Sequence, residues 1–445
     1  MTSPIRNKEG HVIFTREMRD THTILVPMML PIHFTFIQKL LTSAGYHVEI
    51  LQNHSHEVIE KGLKYVHNDT CYPALVVIGQ MIDALDSGKY DLSKTALIMS
   101  QTGGGCRASN YIHLLRKALE KAGYGDLPVI SANLSGLEAN PGFQITLPLI
   151  RKMIAALIYG DMIMLLANQT RPYEIAQGAT ERVIENLIER LCSQFEKGRG
   201  ISSREMRQNL EQIASEFEAV PVHLVPRVRV GVVGEIFVKY SALANNGLEE
   251  FLAGQGCEVM VPGVLGFMLY SVDARLEDYK LYGGNRFHYT AASMLMDFFL
   301  GMEKTMLDVL KQHPRFVAPS PFHELKEMVS GVIGLGNKMG EGWLLTAEMI
   351  ELIRHGYGNI VCAQPFGCLP NHICGKGMIH RLRTLYPESN IVAIDYDASA
   401  TRVNQENRIK LMLAVAKERL NAPVEAQPLT AEQLAGGAPQ VGATV

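Results

Sequence analysis

The sequence has no apolar run long enough to cross a bilayer, no large excess of one charge and no start typical of an exported protein. Apolar stretches such as TILVPMMLPI (23–32) are too short to span a membrane as a helix. Lys and Arg number 42 against 45 Asp and Glu, and this net charge of −3 indicates neither a nucleic-acid surface nor a polybasic lipid-binding segment. The stretch MTSPIRNKEGHVIFTREMRD (1–20) lacks the apolar core of a secretory signal. We therefore expect a soluble, cytoplasmic protein that binds neither nucleic acid nor membranes.

Closely spaced cysteine pairs are also missing. Structural zinc sites usually use pairs two to four residues apart, and the odd number of seven cysteines argues against a disulfide framework in a cytosolic chain. The sequence does contain CAQPFGCLPNHICGKG (362–377), in which Cys362, Cys368 and Cys374 recur at six-residue intervals. These thiols can belong to one metal site, to a larger site or to unrelated positions.

Short apolar runs alternate with amphipathic stretches along most of the chain, which is the pattern of βα units and a parallel sheet. The alternation is interrupted by long helical stretches and then restarts at RVRVGVVGEIFV (227–238). The predicted fold is α/β, with two Rossmann-like, doubly wound parallel-sheet domains and a helical bridge. The predicted limits are a first α/β domain at 1–170, a helical linker at 171–225, a second α/β domain at 226–421 and a mobile tail at 422–445.

Three cysteines share one local context, a loop that leads into a helix. Cys106 follows the predicted strand TALIMSQ (95–101) and three glycines, and Cys368 follows the predicted strand NIVCAQP (359–365) and a bend. Cys71 follows HNDT and precedes Tyr-Pro at the start of a predicted helix. Ligands of open parallel sheets collect at such loops, beyond the carboxyl ends of the strands.

This context suits an inorganic cluster. The N–H groups at a helix start favour a thiolate and lower its pKa, and they can hydrogen-bond cluster sulfides. Glycines such as Gly104, Gly105 and Gly367 allow a close approach of the backbone. Three thiols from separate loops match an iron–sulfur cube with one iron left open. Two alternatives remain open, namely three reactive metal-free thiols and a phosphate site in TGGGC, although that loop lacks the P-loop and GxGxxG patterns.

The remaining cysteines have other surroundings. Cys257 opens a strand and Cys362 lies inside an apolar strand, so both are predicted to pack. Cys192 lies in a predicted amphipathic helix and is predicted to be a small core or surface residue. Cys374, near the start of the helix after Cys368, is a weaker candidate ligand that can bend back toward the site.

Several polar residues beside these loops can orient a substrate or can simply cap helices. They are His67, Asn68, Asp69, Asn371, His372, Asp395 and Asp397. Glu341 and Lys338, in the glycine-dense GLGNKMGEGW (334–343), can serve acid–base chemistry, although a charged pair in a loop usually faces solvent.

The motifs HNDTCYPA, SQTGGGCRASNY, GEGWLLTAEM and QPFGCLPNHICGKG, followed by IDYD and NQENRIKLML, resemble those of the 2-hydroxyacyl-CoA dehydratase component family. The similarity is strongest to the branch found as the C-terminal part of long fused activator-type chains, which is related to double-cubane cluster proteins. It runs from about residue 10 to about residue 420.

The resemblance implies an oxygen-sensitive [4Fe-4S] cluster between paired Rossmann-like domains, with Cys71, Cys106 and Cys368 at the ligand positions. It also implies a dimer that receives electrons from an ATP-hydrolysing activator carrying its own cluster. No activator segment is recognised in this chain, so we expect that activator to be a separate protein. Cys362 and Cys374 exceed the thiols that a simple cube needs, which leaves a larger double-cubane cluster open.

We therefore expect an anaerobic iron–sulfur reductase-type enzyme, a homodimer, that reduces a small-molecule substrate with low-potential electrons. One alternative is a 2-hydroxyacyl-CoA dehydratase subunit, in which the injected electron generates a ketyl radical. Another, from a different class, is a non-catalytic electron relay or scaffold.

Overall fold

Two parallel sheets, each flanked by helices, form the framework of the protein. The structure is a computed structural model that describes residues 5–67, 69–100, 105–132 and 140–421. Within these ranges each sheet has four strands, and all strand pairs are parallel. The predicted α/β class with two Rossmann-like sheets is confirmed.

The two sheets repeat one strand order. The strands are β1 Thr23–Val26, β2 His47–Ile50, β3 Thr95–Ser100, β4 Val129–Ala132, β5 Arg229–Gly234, β6 Glu258–Met260, β7 Asn359–Pro365 and β8 Asn390–Tyr396. The first sheet runs β2-β1-β3-β4 and the second runs β6-β5-β7-β8. In both sheets the direction of winding therefore reverses next to the first strand, between β1 and β3 and between β5 and β7, where open α/β folds bind ligands.

Helices cover both sheets and connect them. They are α1 Arg16–Arg19, α2 Pro31–Ser43, α3 His56–Tyr65, α4 Tyr72–Asp86, α5 Tyr111–Ala122, α6 Leu147–Thr170, α7 Ala179–Glu196, α8 Ser203–Glu218, α9 Ile236–Tyr240, α10 Leu248–Gly254, α11 Val264–Tyr282, α12 Arg286–Leu310, α13 Phe322–Met328, α14 Gly342–Arg354, α15 Leu369–Cys374, α16 Ile379–Leu385 and α17 Arg402–Asn421. Among the described residues, no helix combines the length and the apolar character that membrane crossing requires.

Apolar runs in the sequence predict the positions of most strands, and β7 coincides with the predicted strand NIVCAQP. Its residues after Asn359 are all buried, as expected for a central strand covered on both faces. The sequence reading did not identify α8, although Ser202 and Glu205 form a capping box there that is a recognisable helix start. The predicted domain limits stay a prediction, and the predicted tail at 422–445 lies outside the described residues.

The long helix α6 joins the two halves of the molecule. It packs against α2 in the first half and against β6 and α11 in the second. The buried carboxyl of Asp161 on α6 lies 2.9 Å from His33 Nε2 and accepts the backbone N–H groups of Val264 and Leu265 at 2.9 and 2.7 Å. These bonds satisfy the start of α11, which would otherwise bury unpaired donors. One side chain of α6 therefore ties elements of both halves together.

Replacing Asp161 should weaken the whole fold. Asp161→Ala leaves two buried backbone donors and His33 without their acceptor, so we expect the free energy of unfolding to fall by about 3 kcal/mol or more. The measurement is urea unfolding followed by circular dichroism. Asp126→Ala, at a carboxyl that is 83% exposed and pairs with Arg6, is the control and should change stability by less than about 0.5 kcal/mol. Equal losses in the two variants would contradict this role of Asp161.

Candidate functional site

The first half of the molecule contributes two cysteines, each at the start of a helical segment. Cys71 is the N-cap of α4 and has Pro73 in the first turn behind it. Cys106 follows β3 and is the N-cap of the short 3-10 turn Arg107–Asn110, which continues into α5. Both thiols are half-buried. The predicted context, a loop entering a helix, is confirmed for both.

The second half contributes Cys368 in the same context. Cys368 is half-buried and is the N-cap of α15, directly after β7. Gly367 precedes it with φ +75°, a conformation that side-chain-bearing residues rarely adopt, so glycine is needed for this turn. Strand β7 is the second-half counterpart of β3, and the two loops therefore follow equivalent strands.

The cysteine loops of the two halves meet at the glycine-dense segment 334–342. A Cβ on Gly105 would lie 2.6 Å from Met339 Sδ, so Met339 sits directly on the backbone beside Cys106. A Cβ on the neighbouring Gly340 would lie 3.2 Å from Pro370, two residues after Cys368. Residues 339–340 therefore touch both cysteine loops, and the site lies at the junction of the halves.

Two carboxyl groups lie among these loops. Glu341 is 5% exposed, and its Oε1 and Oε2 accept the Ile236 N–H and the Asn371 side-chain N–H, each at 2.9 Å. Glu235, after β5, caps α9 by accepting the Val238 N–H at 2.9 Å. Burial, followed by the charge of Glu341, raises the pKa of Glu235. The pair thus holds a proton at a pH at which exposed glutamates are ionised.

Glu235 acts on all three thiols, and Glu341 acts on Cys106 and Cys368. Burial is the main cause that raises the pKa of Cys71 to about 12, and Glu235 and Cys106 add to it. Burial likewise raises the pKa of Cys368 to about 12, with contributions from Glu341 and Glu235, and it raises the pKa of Cys106 with the same two carboxyls contributing. The expected lowering of these pKa values is wrong for the metal-free chain, because burial and negative charge outweigh the helix starts.

Two neutral side chains hold the thiols in place. The Tyr111 hydroxyl lies 3.1 Å from Cys71 Sγ and opposes part of the rise in that thiol's pKa. The Asn371 amide donates to Cys368 Sγ at 3.4 Å as well as to Glu341. Both groups can donate hydrogen bonds to a thiolate and thereby stabilise it.

The other predicted site residues lie in different environments. Cys374, at the end of α15, is 2% exposed and packs in the apolar core, where its carbonyl oxygen accepts the Thr346 hydroxyl at 2.6 Å. Cys362 is fully buried in β7. Whether either binds metal stays a prediction, and Gly104 lies outside the described residues. Cys257 is buried, as predicted for a packing residue, and Cys192 is buried in the core.

The polar residues predicted beside the cysteine loops also lie in different environments. Asp397 accepts the backbone N–H groups of residues 399 and 400 and so stabilises the turn that precedes α17. His67 and Asp69 are largely exposed, 3.5 Å apart, and Asn68 lies outside the described residues. His372 Nδ1 and the Asp395 carboxyl both contact the Gln364 amide, at 3.0 and 2.6 Å.

Sequence reasoning missed Glu235 and Tyr111, and it left two readings for Glu341 and Lys338, acid–base chemistry or a pair that faces solvent. Glu341 is instead buried, and Lys338 pairs with Asp278. The sequence offers one signal for each of these two residues. Glu235 directly follows a predicted strand, and Tyr111 lies near the start of a predicted helix.

The arrangement fits a cluster better than a single ion. In the described ranges, no three His, Cys, Asp or Glu side chains are grouped closely enough to hold one metal ion. A cube is larger than an ion, and each of its cysteine ligands binds a different iron, so the thiols need not converge on one point. Cys71, Cys106 and Cys368 are half-buried and come from three loops, and the charge of Glu235 acts on all three thiols. This donor set suits an iron–sulfur cube.

The raised thiol pKa values predict an unusual pH profile for alkylation of the metal-free protein. A pKa of about 12 keeps the thiolates of Cys71 and Cys368 scarce, so we expect their iodoacetamide labelling rates to rise about tenfold per pH unit from about pH 7 to pH 10. Only the thiolate reacts, and below the pKa its fraction rises about tenfold with each pH unit. Labelling is measured by mass spectrometry of peptides. In urea the same rates should level off near pH 8.5, and a similar plateau in the folded protein would contradict the assigned environment.

Comparison with known proteins gives one family match. Residues 24–92 match a family model described as the CoA enzyme activase uncharacterised domain (DUF2229). None of the curated proteins matches the chain. The matched segment is a short part of the chain that runs from β1 to α4 and includes Cys71. The match links this segment, in a general way, to the family of 2-hydroxyacyl-CoA dehydratases and their activases.

Proposed function

We propose that the protein is an iron–sulfur reductase whose cluster is held by Cys71, Cys106 and Cys368 and receives low-potential electrons from a separate ATP-hydrolysing activator. The observation that carries the proposal is that three half-buried helix-start thiols come near one carboxyl, Glu235. The CoA enzyme activase match at 24–92 supports the link to activator-dependent chemistry. The substrate is a small molecule.

The side chains around the thiols have separate tasks in this proposal. When bound, the cluster supplies low-potential electrons and one iron without a protein ligand. The thiols and the backbone N–H groups at the starts of α4 and α15 bind and orient it. Tyr111 and Asn371 donate hydrogen bonds to the thiol sulfurs of Cys71 and Cys368. The carboxyl pair of Glu235 and Glu341 holds a proton inside the site, next to where a reduced substrate needs one.

A dehydratase subunit is the second candidate, favoured by the CoA enzyme in the description of the matching family. It would use the same thiols and the same activator, but its substrate is a 2-hydroxyacyl-CoA. Assays with a reduced activator distinguish the two, because only the dehydratase forms an enoyl-CoA. Cluster reduction without turnover of either kind of substrate would instead identify an electron relay.

Iron and acid-labile sulfide in anaerobically purified protein test the proposal. We expect about four irons per chain for one cube and roughly twice that for a double cluster. Cys106→Ala removes a ligand and should abolish the cluster and its visible absorption. Cys192→Ala, which changes a buried thiol of α7 far from the junction, should leave the iron content unchanged. The proposal would be contradicted by folded wild-type protein that contains no iron after anaerobic purification. It would also be contradicted if Cys106→Ala retained its iron.

Removing the Tyr111 hydroxyl should change the cluster without removing it. Hydrogen bonds to cluster sulfurs stabilise the reduced, more negative state. Tyr111→Phe keeps the ring and removes the donor 3.1 Å from Cys71 Sγ, so we expect full iron content and a more negative reduction potential. The measurement is a redox titration followed by electron paramagnetic resonance. Tyr124→Phe, at a tyrosine at the opposite end of α5, is the matched control. An unchanged potential in Tyr111→Phe would contradict the bond.

A further inference from the structure

A second cavity, separate from the cysteine loops, runs along one face of α14. Its volume is about 90 Å³. Leu344, Glu348, Glu351 and His355, three or four residues apart on α14, contribute to its wall and so share one helical face. Most of the remaining lining is apolar, including Met164, Leu265, Met306 and Pro319. The half-buried segment 317–319 lies along its edge.

Two carboxyl groups at this cavity have no cationic partner. Glu303 on α12 and Glu351 on α14 are 9% and 7% exposed, and each uses Oε1 to accept one backbone N–H, from Phe322 at 3.0 Å and Ser320 at 2.5 Å. Across the described chain, neither carboxyl forms an ion pair with Lys, Arg or His. The Ser320 hydroxyl adds a hydrogen bond to Glu351, whereas the described residues offer Glu303 no donor besides the Phe322 N–H. Burial, followed by the charges of Glu348 and Glu303, raises the pKa of Glu351 to about 7, and burial raises the pKa of Glu303 to about 7.

The other acidic groups of the cavity are already compensated. Glu348 pairs with the buried Lys239, whose Nζ lies 3.0 Å from Glu348 Oε1. Asp161 is satisfied by His33 and by two backbone N–H groups. A buried carboxylate without a counter-charge is costly. Glu303 and Glu351 are therefore the carboxyls of this cavity that a cationic ligand would compensate.

We propose that this cavity binds a small organic cation, with a primary ammonium group between Glu303 and Glu351 and an aliphatic body against the apolar wall. An ammonium group supplies three donors and a positive charge, which suits two buried carboxyls that have no cationic partner among the described residues. A metal ion fits less well, since no three ligating side chains are grouped in the described residues. An apolar wall with a few convergent polar groups is typical of small-molecule sites. The proposal does not depend on the cluster.

The test compares three ligands of similar size on the full chain by calorimetry and thermal unfolding. n-Butylammonium chloride should bind and raise Tm with concentration, because it binds the folded state. 1-Butanol and sodium butyrate lack the positive charge and should bind at least about tenfold more weakly. Equal binding of butylammonium and 1-butanol, or no binding of butylammonium, overturns the proposal.

Variants assign the bound ammonium to the two carboxyls. Glu303→Gln and Glu351→Gln each keep an oxygen that can accept the backbone N–H but remove the charge, so each should weaken butylammonium binding about tenfold. Glu327→Gln, on the exposed side of α13, removes a charge without touching the cavity and should not change the affinity. Binding that survives both cavity substitutions contradicts the proposal. If either variant fails to fold by circular dichroism, the wild-type comparison of the three ligands decides.

Discussion

The buried carboxyl of Glu341 holds together the loops on which the candidate site depends. It accepts one N–H from the start of α9, after β5, and one from Asn371 on the helix that follows Cys368. A buried carboxyl must have such partners, because burial without them costs several kcal/mol, roughly 2–7 kcal/mol for a neutral polar group. Asn371 also contacts the Cys368 sulfur, so the position of this thiol follows from the same network. The glycine-dense segment that ends at Glu341 also touches the backbone beside Cys106.

The repeated strand order explains why a site forms at this place. Each sheet reverses its direction of winding beside its first strand, between β1 and β3 and between β5 and β7. The loops that follow these two strands turn to opposite faces of the sheet and leave a crevice between them. Cys106 follows β3, Cys368 follows the equivalent β7, and Glu235 follows β5. Helix α6, fixed by Asp161, sets how the two halves face each other. Thiols far apart in sequence are therefore brought to one junction by two similar sheets.

Much of this arrangement is predictable from sequence, and the remainder depends on tertiary contacts. The strand before Cys368 and the helix starts after Cys71 and Cys106 follow from apolar runs and turn residues, which are local signals. The burial of Glu341 is not local, because it results from Ile236 and Asn371 arriving from other segments. The predicted lowering of the thiol pKa values was wrong for the same reason. A helix start can be recognised in the sequence, whereas the buried carboxyl groups beside it cannot. The cavity at Glu303 and Glu351 likewise joins α12 and α14, which no periodicity connects.

The central claim is that Cys71, Cys106 and Cys368 bind one iron–sulfur cluster at the junction of the halves. It is tested most directly by crystals grown anaerobically and an anomalous difference map recorded at the iron absorption edge. We predict iron peaks within bonding distance of all three Sγ atoms, about 2.3 Å as for other metal–thiolate bonds. Two results would contradict the account. One is iron bound elsewhere in the chain; the other is iron-containing protein whose map shows no iron signal at the junction and three free thiols there.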